Sequence, residues 1–235
     1  MIACATRQPA RYMGRITQFS AANLIPEAGV DPGKWNRLPS PDAVGRTIKA
    51  LRGHGFTVTP VDDGDKALVE LQTMITREAE VMTGSSTTLI EIGFEDLIAG
   101  KKCGWKDLHT GITAENDDAK RAELRRKSVT ADYFVSSASA ITESGEIFGC
   151  DASGSRVGAW PFAAGHVIIV SGINKIVPTV DDAIRRVREY VYPLENRRAL
   201  HAYGTPSMIG KCVILAQEKV PGRVTVVLIR ESLGY

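Results

Sequence analysis

Cysteine is scarce and scattered: Cys4, Cys103, Cys150 and Cys212 contain no C-x-x-C pair, which excludes a zinc-ribbon or disulfide framework as the organising principle. Isolated thiols of this kind fit a reducing compartment, so a cytoplasmic protein is expected. The four histidines, His54, His109, His166 and His201, have no spacing that makes a metal pair, and no metal site is expected. No G-x-G-x-x-G follows a strand-like run, so the dinucleotide fingerprint is missing. The P-loop pattern fails as well. Five residues rather than four separate Gly204 from Gly210, and Cys212 stands where Ser or Thr would bind magnesium. Long apolar runs are also lacking: Val167 to Val170 and Val224 to Ile229 are far too short to span a bilayer, and the N-terminus has no stretch of signal-peptide length. Neither sign of charge dominates, with 29 basic against 27 acidic residues. Nucleic acid is therefore not implied. The expectation is an enzyme or binding protein with no metal, no nucleotide cofactor and no membrane contact.

What is present suffices for a full core: 235 residues, 43% of them hydrophobic. Residues 1–39 carry Pro9, Pro26, Pro32 and Pro39 and little periodicity. They read as an irregular leader whose Tyr12, Phe19 and Trp35 pack on a main domain at 40–235 or on a partner subunit. Ser40 and Asp42 flank Pro41 ahead of Val44, Ile48 and Leu51, a cap followed by helical spacing. Phe56, Val58 and Val61 read as a strand, Ala67 to Ile75 as a helix, and Val81 and Met82 as a strand end. After Thr83-Gly84-Ser85-Ser86-Thr87-Thr88, helical spacing resumes at Leu89, Ile92, Phe94 and Leu97. The 101–116 stretch reads as a polar loop, either a lid or a subunit contact. Glu115, Asp117 and Asp118 followed by Arg121, Arg125 and Lys127 describe a solvated helix with its charges aligned to the dipole. Pro178 and Thr179 open a helix that Pro193 ends, and Val213 to Leu215 and Val224 to Ile229 read as a closing hairpin around Pro221-Gly222.

The functional signal lies in polar turns that follow or join strand-like runs. Open α/β sheets place ligands at the carboxyl ends of their strands, so such turns are candidates for one crevice. Gly84, Ser85, Ser86 and Thr87 sit at a strand-to-helix junction. Either they cradle a phosphate or carboxylate with free amides, or a hydroxyl there only caps the helix. Glu143, in Thr142-Glu143-Ser144-Gly145, offers a carboxylate on a tight turn. Arg156, after Ser153-Gly154-Ser155, offers a fork for an anion, and Lys175, after Gly172-Ile173-Asn174, a point charge.

Several stretches together resemble the LUD (lactate utilization) domain family: Gly84 to Thr87 with Glu91-Ile92-Gly93, Asp132 to Gly145, Val167 to Val177, and Arg223 to Tyr235. The most specific is Val167-Ile168-Ile169-Val170-Ser171-Gly172-Ile173-Asn174-Lys175-Ile176-Val177. The resemblance implies an α/β, three-layer fold with a largely parallel sheet between helices, similar to the sugar-isomerase and CoA-transferase superfamily, and a link to oxidation of lactate or related organic acids. The sequence departs from it in two ways: the family often has Asn where Ser139 and Ser155 stand, and the cysteine cluster that many members carry near the C-terminus is reduced here to Cys212. Class I CoA-transferases carry a Ser/Thr-Glu-Asn-Gly motif whose glutamate attacks the acyl-CoA. Glu143 fits that motif except for Ser144.

Two readings follow. In the first, a cofactor-independent isomerase or transferase acts on a small anionic metabolite (hydroxy or keto acid, phosphosugar or acyl thioester). Glu143 is acid/base or nucleophile, Lys175 and Arg156 stabilise charge, and Gly84, Ser85, Ser86, Thr87, Ser139, Gly154, Ser155, Gly172 and Asn174 bind substrate. In the second, a non-catalytic accessory subunit uses the same pocket to hold a ligand, alone, as a homo-oligomer or beside oxidoreductase subunits.

Overall fold

A computed structural model describes residues 19–235. The described residues form ten strands: β1 (Thr57–Val61), β2 (Glu80–Thr83), β3 (Lys106–Asp107), β4 (Tyr133–Ser136), β5 (Ala140–Thr142), β6 (Ile147–Asp151), β7 (His166–Gly172), β8 (Ile176–Val177), β9 (Lys211–Leu215) and β10 (Val224–Ile229). Six of them make a parallel sheet in the order β1-β10-β7-β4-β2-β3. The central strands are buried on both faces, as parallel strands are. In β7, Val167 and Ile169 join one apolar cluster, while Ile168 and Val170 join another on the opposite face.

On one face lie the helices Gly64–Met74, Thr87–Glu91 and Phe94–Ala99, contributing Ala67, Leu71, Leu89, Phe94 and Ile98 to the core. The other face is covered by the helix Pro41–Gly53, by Trp160, and by a second sheet of order β8-β5-β6-β9. The fold is thus α/β with a six-stranded parallel sheet flanked by helices. Among the described residues no helix is long and apolar enough to cross a membrane.

Local chemistry explains most of the helix boundaries. Ser40 Oγ accepts the N–H of Ala43 at 3.2 Å, and Thr179 Oγ1 that of Asp182 at 3.1 Å, so both starts are capped by a side chain. The run from Leu89 to Leu97 is two helices, because Gly93 adopts φ 81° between them. The polar stretch at 101–116 is not a loop throughout. It holds β3 and the helix Leu108–Ala114, and Trp105 is buried against Phe94.

Pro193 does not end its helix. The chain passes from Val180–Arg186 through a π-helical turn at Val187–Val191 into Tyr192–Tyr203, and a widened turn absorbs the carbonyl that a proline leaves without a donor. The closing hairpin is not formed either. β9 pairs antiparallel with β6, whereas β10 inserts parallel between β1 and β7.

In the described part of the leader, Ala21, Leu24 and Trp35 pack with Phe148, Tyr190, Leu194 and Tyr235. Tyr12 and Cys4 lie outside the described residues. Arg186, fully buried, ties this segment down by donating to the carbonyls of Trp35 and Ser139.

Gly172, at the end of β7, has ordinary φ but no room. A Cβ there would stand 2.6 Å from the Glu231 carbonyl oxygen and 2.8 Å from the Leu233 nitrogen. Gly172→Ala is therefore expected to destabilise the protein by about 1–3 kcal/mol, read as a lower urea midpoint at unchanged slope.

Candidate functional site

The carboxyl ends of β2, β4 and β7 are neighbours in the sheet, and they deliver Gly84 to Thr87, Ser137 to Ser139, and Lys175 to one cavity of about 490 Å3. The smaller sheet adds Cys150, Asp151 and Arg156 from the end of β6. The helix Tyr192–Tyr203 adds Glu195 and Arg198, and Tyr235 closes one side.

Lys175 sits in the wall of this cavity with 1% of its surface exposed. Its Nζ lies 2.8 Å from both Thr88 Oγ1 and Ser137 Oγ. Among the described residues it forms no ion pair. Burial holds its pKa well below the usual lysine range, and the positive charges of Arg186 and Arg156 push the same way, against the pull of Glu91. Glu91 is itself raised by burial, although it accepts the Gly234 N–H at 2.6 Å.

Arg156 is positioned by its neighbours. Its backbone N–H donates to Asp151 Oδ2 at 2.6 Å, and its Nη1 and Nη2 donate to the carbonyls of Cys150 and Ser85 at 2.6 and 3.3 Å. Its Nε is buried with no partner among the described residues. The guanidinium lies over the Trp160 ring, 5.7 Å from its centroid. Arg198 is the most fully neutralised cation of the wall, held by both Glu195 oxygens at 2.7 Å. Glu195 also receives the Tyr235 hydroxyl at 2.8 Å. Burial, reinforced by the Glu195 charge, raises the pKa of that phenol and keeps it a donor.

Of the residues expected from sequence to form the site, Gly84, Ser85, Ser86, Thr87, Ser139, Ser155, Arg156 and Lys175 line the cavity. Ser86 Oγ accepts the Leu89 N–H at 3.3 Å and so caps the following helix, and the Gly84 N–H is bound to the Val135 carbonyl. Glu143 is not brought to the cavity. β5 leaves the cavity and β6 returns to it, so the turn joining them stands at the far end of the hairpin from Ser139 and Cys150. There the Glu143 carboxylate pairs with Arg46 at 2.7 Å.

Asn174 also faces elsewhere. Its amide donates to Asn36 and Gly234 and accepts from the Leu233 N–H, which stitches the C-terminal segment to the leader. Gly172 packs against that same segment, and Gly154 sits against Lys211. The site as built therefore has hydroxyls and cations where the sequence reading placed a carboxylate.

Sequence reasoning missed Ser137, Glu195, Arg198 and Tyr235; the helix Asp118–Lys127 is solvated as expected, with no buried residue, and its Arg121 and Arg125 also reach the cavity wall. One signal was available: the pair Glu195 and Arg198, three apart, would have faced one side of a helix continued through Pro193.

A sequence model of the LUD domain matches residues 44–229. No curated protein matches the sequence. Among solved structures, a DUF162 family protein from Deinococcus radiodurans is similar at 14% identity, with a TM-score of 0.49 over 82% of this chain and 99% of that one.

Proposed function

The chain belongs to the LUD domain family, and from that premise we propose that its cavity binds a small organic anion, with Lys175 as the group that exchanges a proton when the ligand enters. The observation that carries this reading is Lys175 itself, a buried amine in a cavity wall whose partners among the described residues are two hydroxyls and no acid. Burying an unpaired ammonium is costly, whereas a carboxylate or phosphate arriving beside it supplies the missing counter-charge. The rest of the wall favours the same sign of ligand: Arg121, Arg125, Arg156 and Arg198 stand against Asp151 and Glu195, although Arg121 is also paired with Asp118.

Glu143 has no part in this reading. An acid/base step in the cavity would run through the Lys175 amine, which as a free base accepts a proton from carbon next to a carbonyl and as an ammonium stabilises the resulting oxyanion. That is the isomerase-like form of the proposal. In the other form the chain only holds the anion, as an accessory subunit in organic-acid oxidation. Turnover by the isolated chain separates the two.

The binding claim is tested by calorimetric titration with hydroxy acids, keto acids, phosphosugars and acyl-CoAs. At least one class should bind, and Arg156→Lys should weaken it about tenfold or more, because an ammonium cannot replace the fork that spans the Cys150 and Ser85 carbonyls. No heat and no thermal shift from any class at millimolar concentration would overturn the proposal.

A further inference from the structure

Cys150 and Cys212 are 62 residues apart in sequence, and the sheet register sets them directly opposite each other on the antiparallel strands β6 and β9. Their sulfurs are 3.7 Å apart. Opposed residues in antiparallel strands have Cα atoms about 4.5 or 5.5 Å apart, within the span a disulfide bridges. The two thiols differ in setting: Cys212 is exposed, whereas Cys150 is half-buried in the cavity wall.

We propose that Cys150 and Cys212 form a reversible redox pair, in which oxidation by a small disulfide staples β6 to β9 beside the cavity. The position matters because of what each strand carries. The Cys150 carbonyl holds Arg156 Nη1, and the next residue, Asp151, holds the Arg156 backbone. β9 is an edge strand, and the segment leading into it, Thr205 to Ile209, lines the same cavity. A covalent link at this level joins the mount of Arg156 to the start of β9.

With a glutathione-type disulfide the chemistry proceeds in two exchanges. The Cys212 thiolate attacks one oxidant sulfur, the oxidant S–S bond breaks, and the first small thiol leaves after taking up a proton. Cys150 then loses its proton to solvent, attacks Cys212 Sγ and expels the second small thiol. Two protein thiols are oxidised and one small disulfide is reduced to two thiols. The order follows from the setting: burial first, then the neighbouring Cys212, pushes the Cys150 thiol up to about 12, so the exposed sulfur is the one that meets the oxidant.

The test treats the native full-length chain with oxidised glutathione, blocks remaining thiols with iodoacetamide, and maps peptides by mass spectrometry without reduction. The expected result is a Cys150–Cys212 linked peptide within one chain, abolished by dithiothreitol. With a loop of this length closed, the oxidised protein should also melt about 3 °C or more above the reduced one. In Cys212→Ser that shift should vanish while its reduced form binds anions like the parent. Persistent glutathionylation at Cys212 with Cys150 still open to alkylation, or links only between chains, would overturn the proposal. So would a linked peptide that appears only after the chain has been unfolded.

Discussion

Replacing Lys175 with methionine is expected to raise the melting temperature by about 2 °C or more and to abolish anion binding in the same variant. The two effects have one cause. Lys175 is fully buried among groups that disfavour its charge, so the folded state takes up its proton less readily than the unfolded chain does. Stability linked to this residue is complete above the unfolded lysine value of 10.5 and is lost as pH falls from there toward the depressed native value. Methionine has no proton to bind. Its advantage should therefore be absent above about pH 10.5 and grow as the pH is lowered toward neutrality. The loss of two hydrogen bonds, to Thr88 and Ser137, offsets part of the gain by about 1 kcal/mol each. Melting curves across pH, with and without a bound organic acid, check both halves. A variant that melts lower than the parent at every pH would mean that the lysine serves structure rather than ligand.

That a residue bound for the cavity should weaken the fold is the ordinary trade between stability and function, and it bears on how much the sequence could reveal. Lys175 was legible because it follows an unbroken apolar strand, Val167 to Val170, and because parallel sheets put polar turns at strand ends. Gly84 to Thr87 and Ser139 were legible for the same reason, following β2 and β4. Glu143 looked equivalent in one dimension and is not. Its strands pair antiparallel, so its turn and the cavity occupy opposite ends of a short hairpin, and no local pattern distinguishes that case from a parallel crossover.

Pairing partners were the general blind spot. Pro221-Gly222 made Val213 to Leu215 and Val224 to Ile229 look like one hairpin, yet each strand finds a distant mate: β9 beside β6, β10 between β1 and β7. The opposition of Cys150 and Cys212 is a consequence of that register and could not be read from spacing. Pro193 concealed Glu195 and Arg198, because a proline in mid-pattern reads as a stop unless a π turn is foreseen.

The largest loss of stability is expected at Trp160, which has no exposed surface and fills the space between the two sheets. Trp160→Ala should cost about 3–5 kcal/mol through the cavity it leaves. It should also impair the site, since the ring lies under Arg156 and the indole N–H donates to Ser136 Oγ at 2.9 Å, one residue before the Ser137 that contacts Lys175. Trp160→Phe separates these roles. It keeps an aromatic face for Arg156 but leaves the buried Ser136 hydroxyl without its donor, a change of about 1–3 kcal/mol. Urea midpoints should therefore fall in the order parent, phenylalanine, alanine, with binding retained in the phenylalanine variant and lost in the alanine variant at temperatures where both are folded. If folded Trp160→Ala bound anions like the parent, then the carbonyls of Cys150 and Ser85 alone would suffice to aim Arg156, and the tryptophan would be packing only.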